Sequence, residues 1–392
     1  MLEYAHLLKV AERAAVPPFH VMDVLSAANA RQRAHGDLVS LAAGQPSTGA
    51  PAPVRERAAA ALAGDALGYT EGLGIPELRA ALAAHYERTY ALEVDPHDVV
   101  LTTGSSGGFL LAFLAAFDVG DRVALARPGY PAYRNILSAL GVEVVELPCD
   151  ASARFQPTVA MLDELPAPID GLIVASPANP TGTVLESGEL AAIAGWCAER
   201  GVQLISDEIY HGISYGTATS SAWQFSREAV VVNSFSKYFA MTGWRLGWLL
   251  VPQRLHRAVD CLTGNFTICP PALAQHAALA AFEPESYREL DDNVRRYREN
   301  RDRLLSGLVD LGIDRLAPAD GAFYAYADVS HLTHDSMSFC QRLLADTGLA
   351  IVPGIDFDPV HGNRFLRFSF AGSTGDVTEA LRRLGGWLPG NR

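Results

Sequence analysis

Lys237 is the residue whose type and position most strongly suggest chemistry. It follows an apolar run at 230–232 and two hydroxyl residues, Ser234 and Ser236, and Arg245 comes eight positions later. Burial lowers the pKa of an amine from ~10.4 toward neutrality, and a neutral amine attacks carbonyl carbons to form a Schiff base. Hydroxyl groups and a guanidinium beside it suit a phosphate. Because most lysines that end a strand are simply solvated, the assignment depends on what other segments bring to this position.

Three other apolar runs also end in unusual polar residues. The run at 98–103 is followed by Gly-Ser-Ser-Gly-Gly at 104–108, and the run at 171–175 by Ser-Pro-Ala-Asn-Pro-Thr-Gly at 176–182. A third run, 203–206, ends at Asp207, and Tyr210 comes three residues later. Since ligands bind beyond the carboxyl ends of the strands in an open parallel sheet, we expect these residues to lie at one edge with Lys237.

Each of these segments suits one part of a phosphorylated ring. A helix that starts with small residues exposes N–H groups, and its dipole favours an anion. A buried carboxylate such as Asp207 needs a positive partner, and a protonated ring nitrogen is a suitable one. Asn179, between two prolines, is a rigid hydrogen-bond donor. Taken singly, these features also fit a plain strand–helix turn, a helix N-cap and an Asn-Pro turn. Taken with Lys237 they indicate pyridoxal phosphate.

The composition indicates a globular protein without nucleic-acid or membrane partners. Of 392 residues 49% are hydrophobic and 19% charged, which excludes a disordered chain, and the formal net charge of -13 argues against nucleic acids and anionic membranes. The five cysteines are scattered, with no Cys-x-x-Cys pair and no zinc-like ligand spacing, so we expect free thiols and no metal site. No signal peptide and no apolar run of ~20 residues is evident. These features predict a cytoplasmic protein.

Seven apolar runs predict the strands of one sheet. They lack clean alternation, as expected when both faces of a sheet are covered. Helical patterns such as 109–117, 132–140 and 186–200 lie between them. This order predicts an α/β fold with a mostly parallel (mixed) seven-stranded sheet and helices on both faces. The predicted strands are 98–103, 122–126, 143–147, 171–175, 203–206, 229–234 and 246–251.

The rest of the chain predicts a smaller α+β domain formed by both termini. A charged stretch at 285–307 is a solvated helix with ion pairs rather than a basic nucleic-acid face. Strands at 321–327 and 364–370 and helices at 336–347 and 376–387 follow, and 17–36 is an N-terminal helix. We therefore predict an N-terminal arm and helix at 1–45 that packs on the small domain, a large cofactor-binding domain at 46–284 and a small C-terminal domain at 285–392.

The motifs, in their order along the chain, resemble those of the class I/II aminotransferases, which are pyridoxal-phosphate enzymes of fold type I. They are Ser-Pro-x-Asn-Pro-x-Gly, Asp-x-x-Tyr and Ser-x-Ser-Lys with an arginine eight residues later, and the resemblance covers almost the whole chain. It implies that Lys237 bonds to the cofactor aldehyde and carries the substrate proton. It also implies that Asp207 pairs with the ring nitrogen, and that Asn179 and Tyr210 hydrogen-bond the phenolic oxygen.

The same resemblance implies the groups that hold the rest of the cofactor. Tyr130, in Pro-Gly-Tyr-Pro, would stack on the ring. Tyr69 would reach the phosphate of the other subunit, which implies a homodimer with shared sites. Hydroxyl, N–H and guanidinium groups would bind the phosphate, from Ser105, Ser106, Ser234, Ser236 and Arg245.

The substrate would be held by three further matches. Arg367 would clamp the α-carboxylate, because a planar guanidinium binds a carboxylate with two hydrogen bonds. Gly44 and Asn179 would complete that site. Some relatives that use acidic side chains have a lysine where Ser106 stands, and Asp358 replaces a frequent glycine near the substrate. The absence of that lysine favours neutral amino donors.

The resulting hypothesis is an aminotransferase that moves the α-amino group of an L-amino acid to a 2-oxo acid by a ping-pong mechanism. One alternative keeps the same cofactor residues in an enzyme of the same fold that catalyses elimination, decarboxylation or oxidation. A remoter alternative is a serine hydrolase, because 104–108 also fits Gly-x-Ser-x-Gly around Ser106, and His211, His331 and His361 lie downstream. That alternative leaves Lys237 and the other motifs unexplained.

Overall fold

The computed structural model describes residues 9–64 and 67–388. Within these ranges the strands are β1 (Val39–Ser40), β2 (Val99–Thr102), β3 (Arg122–Arg127), β4 (Glu143–Pro148), β5 (Gly171–Ala175), β6 (Gln203–Asp207), β7 (Val230–Ser234), β8 (Gly247–Leu250), β9 (Tyr324–Asp328), β10 (Leu349–Ala350), β11 (Val352–Pro353) and β12 (Phe365–Ser369). The α-helices are α1 (His20–His35), α2 (Ala52–Gly64), α3 (Pro76–Tyr90), α4 (Gly104–Ala116), α5 (Pro131–Ala139), α6 (Val159–Asp163), α7 (Ser187–Arg200), α8 (His256–Phe266), α9 (Ala272–Ala278), α10 (Pro284–Asp310), α11 (Ser336–Thr347) and α12 (Thr374–Trp387).

The large sheet has seven strands in the order β2-β8-β7-β6-β5-β3-β4, which confirms the predicted mixed sheet. Strands β4, β3, β5, β6 and β7 are parallel neighbours, and β8 is antiparallel to both β7 and β2. The chain returns from β7 to β8 through residues 235–246, a connection that needs no crossover helix. Because β8 alone is reversed, the carboxyl ends of β2, β5, β6 and β7 all lie at one edge.

Helix α4 begins earlier than its sequence pattern predicts. The apolar pattern suggests 109–117, whereas the helix spans Gly104–Ala116 and so includes the whole Gly-Ser-Ser-Gly-Gly segment. Glycine has a low helix propensity, which conceals this first turn in the sequence. The difference matters because the first turn of α4 then lies directly at the edge where β2 ends.

The small sheets join the two ends of the chain. Strands β11, β12 and β9 form an antiparallel sheet, and β1 pairs in parallel with β10 through Val39 and Leu349. Helix α1 packs against this region, since Val21 and Val24 share a buried cluster with Phe357. The division at residues 45 and 284 stays a prediction, and the first eight residues of the predicted arm lie outside the described ranges.

Helix α10 is the long charged helix that the sequence predicts. It buries an apolar stripe that includes Leu290, Leu304 and Leu308, and its outer face carries ion pairs such as Arg295 with Asp292. Neither this helix nor any other in the described part of the chain is both long enough and apolar enough to cross a membrane.

Candidate active site

A cavity of about 750 Å³ lies between the edge of the large sheet, helix α1 and the small antiparallel sheet. It brings together all but two of the residues predicted for the site, although these are far apart in the sequence. The predicted residues that line it are Gly44, Ser105, Ser106, Tyr130, Asn179, Asp207, Tyr210, Ser236, Lys237, Arg245 and Arg367. Ser234 and Tyr69 do not line it.

The amine of Lys237 is enclosed by protein groups within this cavity. Its Nζ donates a hydrogen bond to the carbonyl oxygen of Gly44 at 2.6 Å and lies 5.7 Å from the centre of the Tyr210 ring. Burial lowers the pKa of Lys237 to about 8, and the positive charges of Arg367 and Arg245 add to the effect, while Asp207 opposes it. About a tenth of the amine is therefore neutral at pH 7, far more than for an ordinary lysine, and the neutral form is the one that attacks a carbonyl.

Asp207 ends β6 and is only 3% exposed. Its Oδ1 accepts the N–H of Ile209 at 3.0 Å, and its Oδ2 accepts the hydroxyl of Tyr133. Burial raises the pKa of Asp207 to about 6, and these two hydrogen bonds and Lys237 limit the rise. The role of Tyr133 was not predicted. The signal was its place in the first turn of α5, three residues after the N-cap residue Tyr130, and the two rings pack edge-on with 5.3 Å between their centres.

The corner opposite Asp207 is built to receive an anion. Thr103 precedes α4 without a side-chain cap on the helix, so the first N–H groups of α4 are left for another acceptor. Gly104 has φ +74°, and a Cβ there would lie 2.6 Å from Nη2 of Arg245, so the guanidinium sits directly on the start of the helix. Ser105 and Ser236 line the cavity beside it.

Ser234 supports this corner from behind rather than facing the cavity. It is 1% exposed, and its hydroxyl donates to the Oγ of Ser236 at 2.8 Å. The Oγ of Ser234 in turn accepts the N–H of Ser236 at 3.0 Å. Ser234 therefore orients Ser236, and its predicted direct contact with a phosphate stays a prediction.

Arg367 is a buried guanidinium that lacks a full set of partners. It is 2% exposed, its Nη1 donates to Oδ1 of Asn179 at 3.0 Å, and its Nη2 donates to the carbonyl of Ala42 at 2.9 Å. Its Nε–H has no hydrogen-bond partner among the described residues. Because a buried cation without a counter-charge is costly, this position suits a bound carboxylate.

Tyr324 on β9 connects the remaining parts of the site and was not predicted. Its hydroxyl shares a hydrogen bond of 2.7 Å with the hydroxyl of Tyr210, and its ring lies 4.4 Å from the guanidinium carbon of Arg367. A Cβ on Gly44 would approach the Tyr324 oxygen to 2.4 Å, so any side chain at this position would require the buried Tyr324 ring to shift. Tyr324 therefore orders the groups around both Lys237 and Arg367.

One wall of the cavity is apolar and comes from the N-terminal part of the chain. Phe19, Val21, Met22 and Leu25 line it together with Leu38. The only cations among the described lining residues are Lys237, Arg245 and Arg367. The wall was not predicted because nothing in the local pattern of α1 indicates which distant residues it faces.

Asp358 does not line the cavity, although its position suggested a place near the substrate. It is 5% exposed, and its Oδ1 accepts the N–H groups of Val360 and His361 and pairs with Nε of Arg127 at 3.4 Å. Its carboxylate therefore stabilises a turn and an ion pair. This replacement of a frequent glycine has no contact with the cavity.

The features behind the hydrolase alternative are not assembled. Ser106 lines the cavity, but none of His211, His331 and His361 is among its described lining residues. His211 is instead buried, where Nδ1 shares a hydrogen bond of 2.6 Å with the hydroxyl of Tyr90. Burial lowers the pKa of His211 to about 3.

Comparisons with known proteins show what the chain as a whole is similar to. The family model for class I and II aminotransferases matches residues 36–384. The valine–pyruvate aminotransferase of Mycobacterium tuberculosis is 67% identical over 97% of this chain and 99% of its own length. The aspartate/prephenate aminotransferase of Thermus thermophilus is 36% identical over 88% of this chain and 90% of its own length. A crystal structure of an aminotransferase from Mycobacterium tuberculosis matches with a TM-score of 0.96 and 67% identity, covering 97% of this chain and 99% of that chain.

Proposed function

This chain belongs to the class I and II aminotransferases and transfers the amino group of an amino acid to a 2-oxo acid, and from that premise we propose its donor class, its cofactor and its assembly. The donor is a neutral aliphatic L-amino acid, the acceptor is a small 2-oxo acid, and the cofactor is pyridoxal phosphate. The main support for this donor class is the apolar wall of the cavity. Among the described lining residues the only cations are Lys237, Arg245 and Arg367.

The residues of the cavity fit pyridoxal phosphate at four places. The uncapped start of α4 and Arg245 supply N–H groups and a positive charge for the phosphate. Asp207, whose burial raises its pKa to about 6, is ionised at neutral pH and needs the positive partner that a protonated ring nitrogen supplies. Lys237 supplies the amine that bonds to the aldehyde. Tyr130 lines the cavity beside Asp207 and offers a ring for stacking.

The side chains of this site have distinct tasks during transfer. When bound, pyridoxal phosphate links covalently to amines and takes up the electrons left behind when Cα of the donor loses its proton. Lys237, neutral in part at its lowered pKa, removes that proton and returns it. Asp207 stays ionised and holds the ring-nitrogen proton in place. Arg367 and Asn179 fix the donor carboxylate so that Cα faces Lys237.

The electrostatics of the cavity favour a donor with one carboxylate. Arg367 takes the α-carboxylate and Arg245 takes the phosphate, so a second carboxylate on the donor side chain would meet the apolar wall. Burying an unpaired carboxylate costs several kcal/mol. The 67% identical relative is named for valine and pyruvate, which agrees with a branched aliphatic donor and a small acceptor.

A panel of donors tests this proposal. With pyruvate as acceptor and pyridoxal phosphate in excess, we expect kcat/KM for L-valine to exceed that for L-aspartate by at least about 10²-fold, because several kcal/mol separate the two donors. Steady-state measurement of 2-oxo acid formation gives the ratio. Equal efficiency with aspartate would overturn the donor class. Product formed from valine when no acceptor is consumed would instead indicate the elimination, decarboxylation or oxidation chemistry of the same fold.

We also propose a homodimer in which the second copy completes the phosphate site. Tyr69 is 83% exposed and does not line the cavity of its own chain. This is the placement expected of a residue that acts in the site of a neighbouring subunit. Phe266 and Ile268 are also exposed and apolar, and Ile268 contacts the loop that follows Tyr69, since its carbonyl is 3.3 Å from a Cβ built on Gly72. A second copy of the chain would cover this surface.

A cytoplasmic location remains part of the proposal. All five cysteines are free thiols in the structure, and Cys149, Cys197 and Cys340 are buried. Free thiols are typical of proteins in reducing compartments.

A further inference from the structure

Helix α1 forms the apolar wall of the cavity but has no cap within its own segment. Phe19 occupies the N-cap position without a side-chain hydrogen bond. The first two N–H groups of the helix instead donate to one distant carboxylate. The N–H of His20 binds Oδ1 of Asp356 at 3.1 Å, and that of Val21 binds Oδ2 at 2.7 Å. Asp356 is 3% exposed, so both of its oxygens are committed to this helix start.

The segment that carries Asp356 is also tied to the large sheet. It is a single turn at Gly354–Asp356 between β11 and β12. The carbonyl of Phe357 accepts the N–H of Gly129 at 3.0 Å, and that of Asp356 accepts from Nη2 of Arg134 at 3.4 Å. Gly129 directly precedes Tyr130, and β12 carries Arg367. The segment therefore fixes the position of α1 relative to Tyr130, proposed to stack on the cofactor ring, and Arg367, proposed to bind the donor carboxylate.

The start of α1 contributes three apolar residues to the cavity wall. Phe19, Val21 and Met22 line the cavity, and the Phe19 ring packs edge-on against Tyr130 with 5.8 Å between ring centres. The second half of the helix has separate anchors, because Arg31 binds Asp37 and the carbonyl of Ala345. Loss of the Asp356 contacts would therefore loosen the first turn of α1, with Phe19, Val21 and Met22, without releasing the rest of the helix.

We propose that Asp356 is a positioning residue for donor specificity. Its carboxylate holds the first turn of α1 so that Phe19, Val21 and Met22 contact the side chain of a branched aliphatic donor. This inference rests on the donor class proposed above. An apolar pocket discriminates between side chains only through close contact, so a loosened wall reduces the advantage of a larger side chain while leaving a small one unaffected.

The variant Asp356→Asn tests this role, because an amide removes the charge and turns one acceptor into a donor that opposes an N–H group. In single-turnover reactions of the cofactor-loaded enzyme, we expect the apparent dissociation constant for L-valine to rise about tenfold, in the range that apolar contacts provide. The maximum rate for valine should stay within about twofold of the wild-type value. The maximum rate and the apparent dissociation constant for L-alanine should also stay within about twofold of wild type. Asp23→Asn is the matched control. Its side chain is 71% exposed, lies 3.5 Å from His20 Nδ1 on the same helix turn, and should behave as wild type.

A second measurement reports on the helix directly. Hydrogen exchange of the ligand-free protein should become faster in peptides that cover the first turn of α1 in Asp356→Asn and stay unchanged at residues 28–35. If that variant fails to fold, His20→Pro replaces it, because proline is favourable at the first helical position and removes one N–H without leaving it unpaired. The Val21 contact remains in His20→Pro, so we expect the same changes at a smaller magnitude.

The outcomes separate the inference from the proposed function. Unchanged exchange in α1 would show that Asp356 does not hold the first turn. Faster exchange with an equal loss for valine and alanine would overturn the specificity role. If the wild-type enzyme rejects valine, the donor class is wrong, and the exchange measurement still decides whether Asp356 holds the helix.

Discussion

Replacing Lys237 with alanine is expected to reduce kcat by at least about 10⁴-fold. The amine is the only group lining the cavity that is both basic and partly neutral near neutral pH among the described residues, since burial lowers its pKa to about 8. Alanine cannot carry the Cα proton or bond to the aldehyde. The measurement is valine–pyruvate turnover at saturating pyridoxal phosphate, together with borohydride reduction of the loaded protein and peptide mass spectrometry.

The sequence offers a matched control for this experiment, because Lys9 is the only other lysine. Lys9→Ala should retain wild-type turnover, and its reduced cofactor adduct should still map to residue 237. The Lys237→Ala protein should carry no adduct at that peptide. If Lys237→Ala turned over within about tenfold of wild type, the proton carrier would be another group and the proposed role of this lysine would be wrong.

Replacing Asp207 with asparagine is expected to lower kcat by about 10³-fold, which corresponds to roughly 4 kcal/mol at the transition state. A neutral amide cannot keep a ring nitrogen protonated, so the electrons released from Cα are held less well. Steady-state kinetics measure the loss. Tyr133→Phe keeps the carboxylate and removes one hydrogen bond to it, so its kcat should lie between those of wild type and Asp207→Asn.

The pH dependence of cofactor binding provides a second test of the pairing between Asp207 and the ring nitrogen. Burial raises the pKa of Asp207 to about 6 in the ligand-free protein. Below that pH the carboxyl is protonated and no longer attracts a positive ring nitrogen, so wild-type affinity for pyridoxal phosphate should fall as the pH drops through about 6. Titrations at several pH values should show a shallower fall for Asp207→Asn. Parallel curves for the two proteins would contradict the pairing.

The raised pKa of Asp207 also determines how this residue changes the stability of the ligand-free protein with pH. A carboxyl whose folded pKa lies above its unfolded value binds its proton more readily in the folded state, so its contribution to stability grows as the pH falls from about 6 toward 3.8. At neutral pH the ionised Asp207 destabilises the ligand-free fold. Asp207→Asn should therefore melt at a higher temperature than wild type without cofactor, although it is the poorer enzyme.

Much of the large sheet could be predicted because its strands are buried on both faces. Gly171–Ala175 was predicted with its exact bounds, and β6 differs by one residue, since runs of Val, Ile and Leu that lack alternation are typical of such strands. Helix α2 was not identified. Its alanine-rich sequence gives little contrast between buried and exposed faces, so it lacks the periodic pattern on which the prediction depends.

The site was predictable where one segment carries its own motif, and not where two distant segments meet. Lys237 and Asp207 follow apolar strands, so their position at the sheet edge follows from the topology. Tyr324 became part of the site only through its contacts with Tyr210 and Gly44, and the cap from Asp356 on α1 joins opposite ends of the chain. No local pattern records such pairs, because they depend on packing between the small sheets and the large one.

A crystal structure of the protein with bound pyridoxal phosphate tests the central claim most directly. We expect the phosphate to accept hydrogen bonds from the start of α4 and from Arg245, the ring nitrogen to face Asp207, and the aldehyde carbon to bond to Lys237. The hydroxyl of Tyr69 from a second copy should contact the same phosphate. A cofactor whose phosphate lay on Arg367, or whose ring nitrogen pointed away from Asp207, would contradict the account.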